Sequence, residues 1–539
     1  MNISEKILKL RKEKGLSQET FAEKLGVSRQ SVSKWESGGS LPDIDKIIAM
    51  SKFFGVSTDY LLKDETAEEP AETSEQIPDE EPSDVELSEN IYDENPPDKT
   101  VENAPTKEKK NFKKIFKRIV CILLIILIAS SAILLPAYSD RIKDWWYNLN
   151  GGKIEHPYVF VHGLGGWGDG SGINNVATYW GGGNFDLKQE LEEKGHVVHT
   201  PSIGPVSSTW DRTCELYAQL TGTTVDYGEA HSKEHNHERY GKTYVTPLVE
   251  NWGEKVNGGQ TVKINLVGHS FGGATVRLLA SLLEYGDEAE IKASGDNVSP
   301  LFEGDKGDYV HSVTTLCAPH NGSTLTEVLN TVSGTIGISD TTDLLMSLCF
   351  GLSGINLPVD GVYDLGLGHF GVDKSDAKNA ISALTAAGND HAAYDLSPDG
   401  AAQLNKKIRT VPGVYYFSYA YSTTKESKLL GAHMPKSDTF AVLYPFAIAM
   451  GSYTGTTKGG INIDTSWKEN DGLVNVVSAR YPFGESHTDL PKDKENIETG
   501  IWYVDATREG DHGAVIGLNS TKTSTVKFYK ELFGMINNL

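Results

Sequence analysis

Gly268-His269-Ser270-Phe271-Gly272 places a serine between glycines two residues to either side. The run Val262-Lys263-Ile264-Asn265-Leu266-Val267 precedes it and predicts a buried strand. Gly273-Ala274-Thr275-Val276-Arg277-Leu278-Leu279-Ala280 follows and predicts the start of a helix. A serine on a tight strand-to-helix turn has a strained backbone and an exposed hydroxyl. The helix N-terminus beneath it favours developing negative charge, and the flanking glycines allow strand and helix to approach closely. The chemistry implied is nucleophilic attack on an acyl carbonyl.

Such a nucleophile needs a base, an acid that orients the base, and an oxyanion hole. When a strand–turn–helix carries the serine, the order along the chain is Ser, Asp or Glu, then His. Asp471 lies in Trp467-Lys468-Glu469-Asn470-Asp471-Gly472-Leu473-Val474-Asn475, read as a loop after a strand. His512 lies in the glycine-flanked stretch Gly510-Asp511-His512-Gly513. Upstream, Pro157-Tyr158-Val159-Phe160-Val161 predicts a strand running into the glycine-rich loop His162-Gly163-Leu164-Gly165-Gly166. The oxyanion N–H groups are expected at Leu164 and at Phe271, the residue after the nucleophile. Taken singly, Asp471 or His512 reads equally as a solvated loop residue. In this order and context they form a Ser270–His512–Asp471 triad on an α/β-hydrolase fold.

Further words spread along residues 156–539 sharpen the reading. They are Tyr179-Trp180-Gly181-Gly182, Gly204-Pro205-Val206-Ser207-Ser208, Trp210-Asp211-Arg212-Thr213-Cys214-Glu215-Leu216-Tyr217, Val225-Asp226-Tyr227-Gly228, Pro319-His320, Tyr394-Asp395-Leu396-Ser397, Glu469-Asn470-Asp471-Gly472 and Asp511-His512. In these words and their order the segment resembles the large bacterial lipases of the Geobacillus and staphylococcal type. The resemblance implies a mostly parallel central sheet, a helical lid over about 325–390, and carboxylic ester hydrolysis on lipids. It also implies a structural zinc held by Asp211, His231, His237 and Asp395. Independently, His231-Ser232-Lys233-Glu234-His235-Asn236-His237 is dense in imidazoles, which suit zinc; the same run also reads as a solvated loop. Calcium is disfavoured after the catalytic histidine, because Ala514 and Asn519 stand where that family often has acidic residues, and a hard cation prefers carboxylates. Phe271 stands where that family commonly has Gln and is expected to alter the lining of the acyl site.

The first 155 residues are organised differently. Residues 1–63 predict an all-α unit, with Ser17 and Ser28 as N-caps and Ile7, Leu10, Leu16, Phe21, Ala22, Leu25 and Val27 at the spacing of packed short helices. Gly26 falls in the turn between Ser17–Lys24 and Ser28–Glu36, as a helix-turn-helix requires. The unit resembles Cro/C1-type DNA-binding domains. Arg29, Gln30 and Lys34 would then face base edges, with Gln18 on a phosphate. The unit carries 11 Lys/Arg against 8 Asp/Glu, a net of +3. So mild a charge implies weak DNA binding by one copy and a homodimer as the working form. A helix-turn-helix retained for protein contacts is the alternative.

Residues 64–106 hold 16 Asp/Glu against the single Lys99 and predict a disordered acidic linker. Residues 107–118 are basic. Residues 119–138 are uncharged and apolar, long enough to cross a bilayer at about 1.5 Å per residue. Such a span, followed by a stalk at 139–155, predicts a single-pass membrane protein. Positive charge on the near flank puts the N-terminus in the cytoplasm and the hydrolase outside. The net charge of −23 is therefore a sum over unlike segments. Three cysteines beyond the span, Cys214, Cys317 and Cys349, cannot all pair within the chain. A lipid-sensing regulator, or a phospholipase or short-chain esterase, is the competing function.

Overall fold

The computed structural model describes residues 3–14, 16–25, 27, 29–36, 44–54, 56, 156–256, 259–336, 364–372 and 388–539. The chain divides into two units, 1–107 and 108–539, each considered by itself. The acidic linker, the basic segment, the apolar span 119–138 and the stalk fall outside the described residues. Among the described residues, no helix is long and apolar enough to cross a membrane.

Among the described residues of the first unit, helices run Ile3–Glu13 (α1), Gln18–Leu25 (α2), Arg29–Glu36 (α3) and Ile44–Phe54 (α4). The Ser17 hydroxyl accepts from Thr20 N at 3.0 Å, the expected N-cap. Ile7, Phe21, Ala22, Leu25, Val32, Trp35, Ile47, Met50 and Phe54 form one core, with Leu10, Leu16 and Val27 packed at its edge. Glu36 ties three helices together. It accepts from Arg11 of α1 and from Gln18 Nε2 of α2, the latter at 2.8 Å. The amide of Gln18, the residue expected on a phosphate, bonds Glu36 across α2 and α3.

The second unit is built on a seven-stranded sheet. Its strands are Tyr158–Val161 (β1), Val198–His199 (β2), Ile264–His269 (β3), Val310–Leu316 (β4), Tyr415–Tyr419 (β5), His487–Asp489 (β6) and Trp502–Val504 (β7). Their order is β6-β7-β5-β4-β3-β1-β2, and every pairing is parallel. A parallel sheet must be covered on both faces, and the strands read accordingly. In β1 all four residues are fully buried. Val159 and Val161 join a core formed with helices Thr209–Thr221 (α5) and Gly272–Tyr285 (α7), between which helix Glu229–His235 (α6) falls in the chain. Tyr158 and Phe160 join the opposite core, with the C-terminal helix Lys522–Ile536 (α10). The period of two along one strand thus sorts side chains between two layers.

The expected lid is described only in part. Its first stretch is helix Thr324–Ile336 (α8), which contacts helix Tyr444–Ser452 (α9). Residues 337–363 and 373–387 lie outside the described residues.

Candidate functional site

Ser270 sits between β3 and α7 with φ +55°, a left-handed conformation unusual for a residue with a side chain. Its N–H donates to Leu316 O of β4 at 2.8 Å, which pins the turn to the sheet. The neighbouring glycines are required by contact. A Cβ on Gly268 would come 2.5 Å from Gly272 O, and one on Gly272 would come 2.2 Å from Val161 O. Strained backbone held by such packing is a mark of functional turns.

His512 Nδ1 lies 2.8 Å from Asp471 Oδ2. The other oxygen, Oδ1, accepts from the N–H groups of Leu473 and Val474 at 3.0 and 2.7 Å. His512 N also donates to Asp471 O at 2.9 Å. The acid is thus held by its own loop, and Nδ1 is committed to it, which leaves Nε2 as the nitrogen able to take a proton. Asp471 was expected after a strand. It lies instead in a tight loop between the turn Thr465–Trp467 and the short helix Val476–Arg480, closed by an Asn470–Asn475 bridge. Ser270 and His512 line one cavity of about 250 Å³, whose walls include Leu164, Trp167, Leu325 and Leu473.

Leu164 follows β1 in the glycine-rich loop, and Phe271 caps α7. Among the described residues, neither backbone N–H donates to a protein acceptor. Two buried side chains, His162 and Arg212, hold this region. His162 Nε2 accepts from Ile203 N at 3.2 Å, so Nδ1 carries the proton and donates to Gly163 O at 2.9 Å. Burial, with Arg212 nearby, lowers the His162 pKa to about 3 and keeps the ring neutral. Arg212 is fully buried and donates to Gly204 O at 2.6 Å and to His162 O at 2.5 Å. Its guanidinium lies 4.9 Å from the centre of the Phe271 ring. That ring packs with Ala274, Leu325 and Leu329 and is not among the residues lining the cavity. The expectation that it reshapes the acyl site is therefore corrected: α7 turns the ring into the core.

A second cluster lies in the same unit. Asp211, His231, His237 and Asp390 each offer one ligand atom, all within 4.8 Å of one another. Asp211 Oδ1, His231 Nε2, His237 Nε2 and Asp390 Oδ2 are buried and lack a hydrogen bond of normal geometry. Two carboxylates and two imidazoles suit a four-coordinate dication. The cluster also demands positive charge: burial opposes protonation of His231, yet Asp211 and Asp390 outweigh it and raise its pKa to about 10. This corrects the fourth ligand, which was expected at Asp395. The Asp395 carboxylate accepts from Thr209 N at 2.7 Å, at the start of α5. Burial raises its pKa to about 7, and Asp395 stands outside the group of four ligand atoms. His369 Nε2 lies 2.9 Å from the other oxygen of Asp211 and would orient that ligand.

Asp390 and His369 lie outside the motifs that flagged the other residues. Asp390 does precede the Tyr394 word by four residues and follows Asn389, but no spacing rule singles it out. After His512, Ala514 offers no side-chain oxygen, and Asn519 Nδ2 donates to Asp511 Oδ2 at 2.6 Å and to Asp438 O at 3.0 Å. Cys214 and Cys317 are buried free thiols. In the first unit Arg29 and Lys34 of α3 are exposed, while Val32 and Trp35 face the core; the Gln30 side chain lies outside the described residues.

Residues 154–539 match the family model described as "Lipase-like, C-terminal domain", and residues 7–61 match one described as "Helix-turn-helix". The chain is 34% identical to Lipase 1 of Staphylococcus aureus over 382 residues, 69% of this chain and 52% of that protein. It is 34% identical to a lipase of Staphylococcus epidermidis over 386 residues, 70% and 52% respectively. The chain thus spans about half the length of these relatives. Among solved structures it is similar to EstA from Clostridium botulinum, with TM-score 0.62 and 34% identity over 72% of this chain and 88% of that one. It is also similar to lipase 1 from Pelosinus fermentans, with TM-score 0.60 and 34% identity over 72% and 100%. A parallel sheet, a serine on a strained strand-to-helix turn and a family match over most of the chain agree, and the chain belongs to the lipase-like family, with a C-terminal domain of the lipase/esterase type and a helix-turn-helix domain before it.

Proposed function

We propose that the C-terminal domain hydrolyses carboxylic esters of lipids. The observation that carries this reading is one cavity that presents Ser270 and His512 among apolar walls, with His512 bonded to Asp471. Ser270 Oγ attacks the ester carbonyl as His512 Nε2 takes its proton. Asp471 holds the imidazole and stabilises its charged form. The N–H groups of Leu164 and Phe271 receive the oxyanion. His512 then gives the proton to the leaving alcohol, and water repeats the sequence on the acyl-enzyme. The Asp211–His231–His237–Asp390 cluster holds a structural zinc that pins α5 to the segments carrying His231 and Asp390. A panel of p-nitrophenyl esters of graded chain length tests the reading: turnover on any of them supports it, and none on all of them rejects it.

The N-terminal domain binds DNA through α3. Supporting this are the packed helices α1 to α4, the family match and exposed Arg29 and Lys34. Fragment 1–63 is expected to bind duplex DNA with an affinity falling about tenfold or more between 50 and 200 mM salt. Arg29→Ala should relax sequence preference, with a cost of about 1–3 kcal/mol at the preferred site. Binding assays on a selected sequence and a scrambled control measure both. Failure to enrich any sequence at low salt would reject the assignment.

The chain is anchored by residues 119–138, with the hydrolase outside the cell. What supports this is the uncharged length of that run and the six basic residues at Lys109, Lys110, Lys113, Lys114, Lys117 and Arg118, against Arg141 and Lys143 offset by Asp140 and Asp144. Protease added to cells stripped of any wall should digest the hydrolase and spare residues up to about 138. Protection of the C-terminal domain instead would invert the orientation.

A further inference from the structure

Tyr179 and His269 lie outside the triad, yet they connect its two sides. His269 Nε2 is 3.0 Å from His512 O. A carbonyl only accepts, so Nε2 carries the proton. Burial, with His512 beside it, keeps the His269 ring neutral, its pKa well below the usual value. Nδ1 is therefore an acceptor, and it lies 2.6 Å from Tyr179 Oη. The hydroxyl must give its one proton to that nitrogen. Its oxygen then accepts, and Gly163 N donates to it at 2.9 Å. Each donor and acceptor in the chain from Gly163 N–H through Tyr179 and His269 to the His512 carbonyl is set by its neighbours. Reversing any one proton would place two donors or two acceptors face to face.

The chain ends at the peptide that matters. Gly163 O is held by His162, and the N–H of Leu164 belongs to the same peptide unit, pointing the opposite way. The Gly163 N–H held by Tyr179 belongs to the preceding peptide, so Gly163 is tethered through both its N–H and its carbonyl, which fixes the Gly163–Leu164 unit at its Gly163 end. The loop is also tight against the nucleophile: a Cβ on Gly163 would lie 2.7 Å from Ser270 Cβ and 2.9 Å from Tyr179 Oη. The Tyr179 ring is itself lodged edge-on against Trp167 and Trp180, with centroids 5.7 and 5.5 Å apart.

We propose that Tyr179 is a positioning residue for hydrolysis: its hydroxyl, oriented by His269, sets the oxyanion peptide Gly163–Leu164 against the loop that carries the base His512. The proposal rests on the hydrolase reading above. A donor placed by a rigid support acts where charge develops in the transition state and adds little to ground-state binding.

The test uses the full chain in detergent and a short-chain p-nitrophenyl ester, with a boronic acid as tetrahedral-anion mimic. Tyr179→Phe keeps the ring that lines the cavity and removes only the hydroxyl. It should lower kcat about ten- to a hundredfold with KM within about twofold, and weaken the boronic acid by the same factor as kcat/KM. His269→Ala should be as severe, and the double variant no worse than either single one. His269→Gln, whose amide can both donate and accept, should recover part of the loss. Unchanged kcat in Tyr179→Phe, a loss confined to KM, or additive losses in the double variant would overturn the proposal while leaving the hydrolase reading intact. If Tyr179→Phe melts below the assay temperature, His269→Gln against His269→Ala decides: no difference between them overturns the proposal. An inert parent chain would overturn both.

Discussion

Ser270→Ala is expected to lower ester turnover on the order of a millionfold, with the melting temperature and far-UV circular dichroism unchanged. A change of that size is the loss of about 8 kcal/mol of transition-state stabilisation, at about 1.4 kcal/mol per tenfold. The whole of it falls on one oxygen because triad members act as a unit: without the nucleophile, base and acid have nothing to activate. His512→Ala should be about as severe. Asp471→Asn should cost about ten-thousandfold, since an amide at that position can hold the wrong tautomer of the imidazole. The Asp471 loop makes the prediction sharp. Two backbone N–H groups fix Oδ1, so the Asn variant keeps its place while losing the acceptor that His512 Nδ1 needs. Turnover by Ser270→Ala within tenfold of the parent would reject the triad. So would an active-site serine probe that still labels the variant.

Metal removal is expected to give the second-largest effect. The purified C-terminal domain should carry about one zinc per chain by elemental analysis. Its extraction with a chelator should lower the melting temperature by roughly 5–15 °C, as expected when a ligand bound far above its dissociation constant is lost. Without the cation, the buried charge of Asp211 and Asp390 falls to the neighbouring histidines, and, against burial, the two carboxylates raise the His231 pKa. Asp390→Ala should abolish zinc binding and reproduce the melting loss. Asp395→Asn should retain the metal, because Asp395 serves Thr209 N and stands outside the cluster. A metal-free chain with the parent's melting temperature would sink the assignment. Zinc lost in Asp395→Asn but kept in Asp390→Ala would restore the ligand set expected from the sequence.

Much of this architecture was legible in one dimension because its determinants are local. A strand that must be buried on both faces is apolar throughout, as in Val159–Val161 and Leu266–Val267. A turn that tolerates no Cβ shows its glycines, as at Gly268 and Gly272. A helix of the first unit shows its cap at Ser17 and its apolar spacing from Phe21 to Leu25. Ser270, Asp471 and His512, the proposed nucleophile, acid and base, stood out because each sits in a stretch of characteristic composition and the three follow one order.

What the sequence alone determined, then, was the identity of the elements and of the groups that carry charge or nucleophilicity. Which of these groups meet was decided by the tertiary structure. Asp390 and Asp395 are five residues apart on one segment, and both are acidic. Only the packing of that segment against α5 sends one carboxylate into the histidine cluster and the other onto the N-terminus of the helix. Gln18 opens α2 and Glu36 closes α3, and only the packing of the two helices joins that amide to that carboxylate. Tyr179 and His269 are 90 residues apart, and nothing in either neighbourhood marks a shared bond. Hydrogen bonds and ligand shells form between groups that are distant along the chain, and their energies depend on ångström-scale distance and on burial. Neither quantity exists until the sheet and its covering helices are assembled.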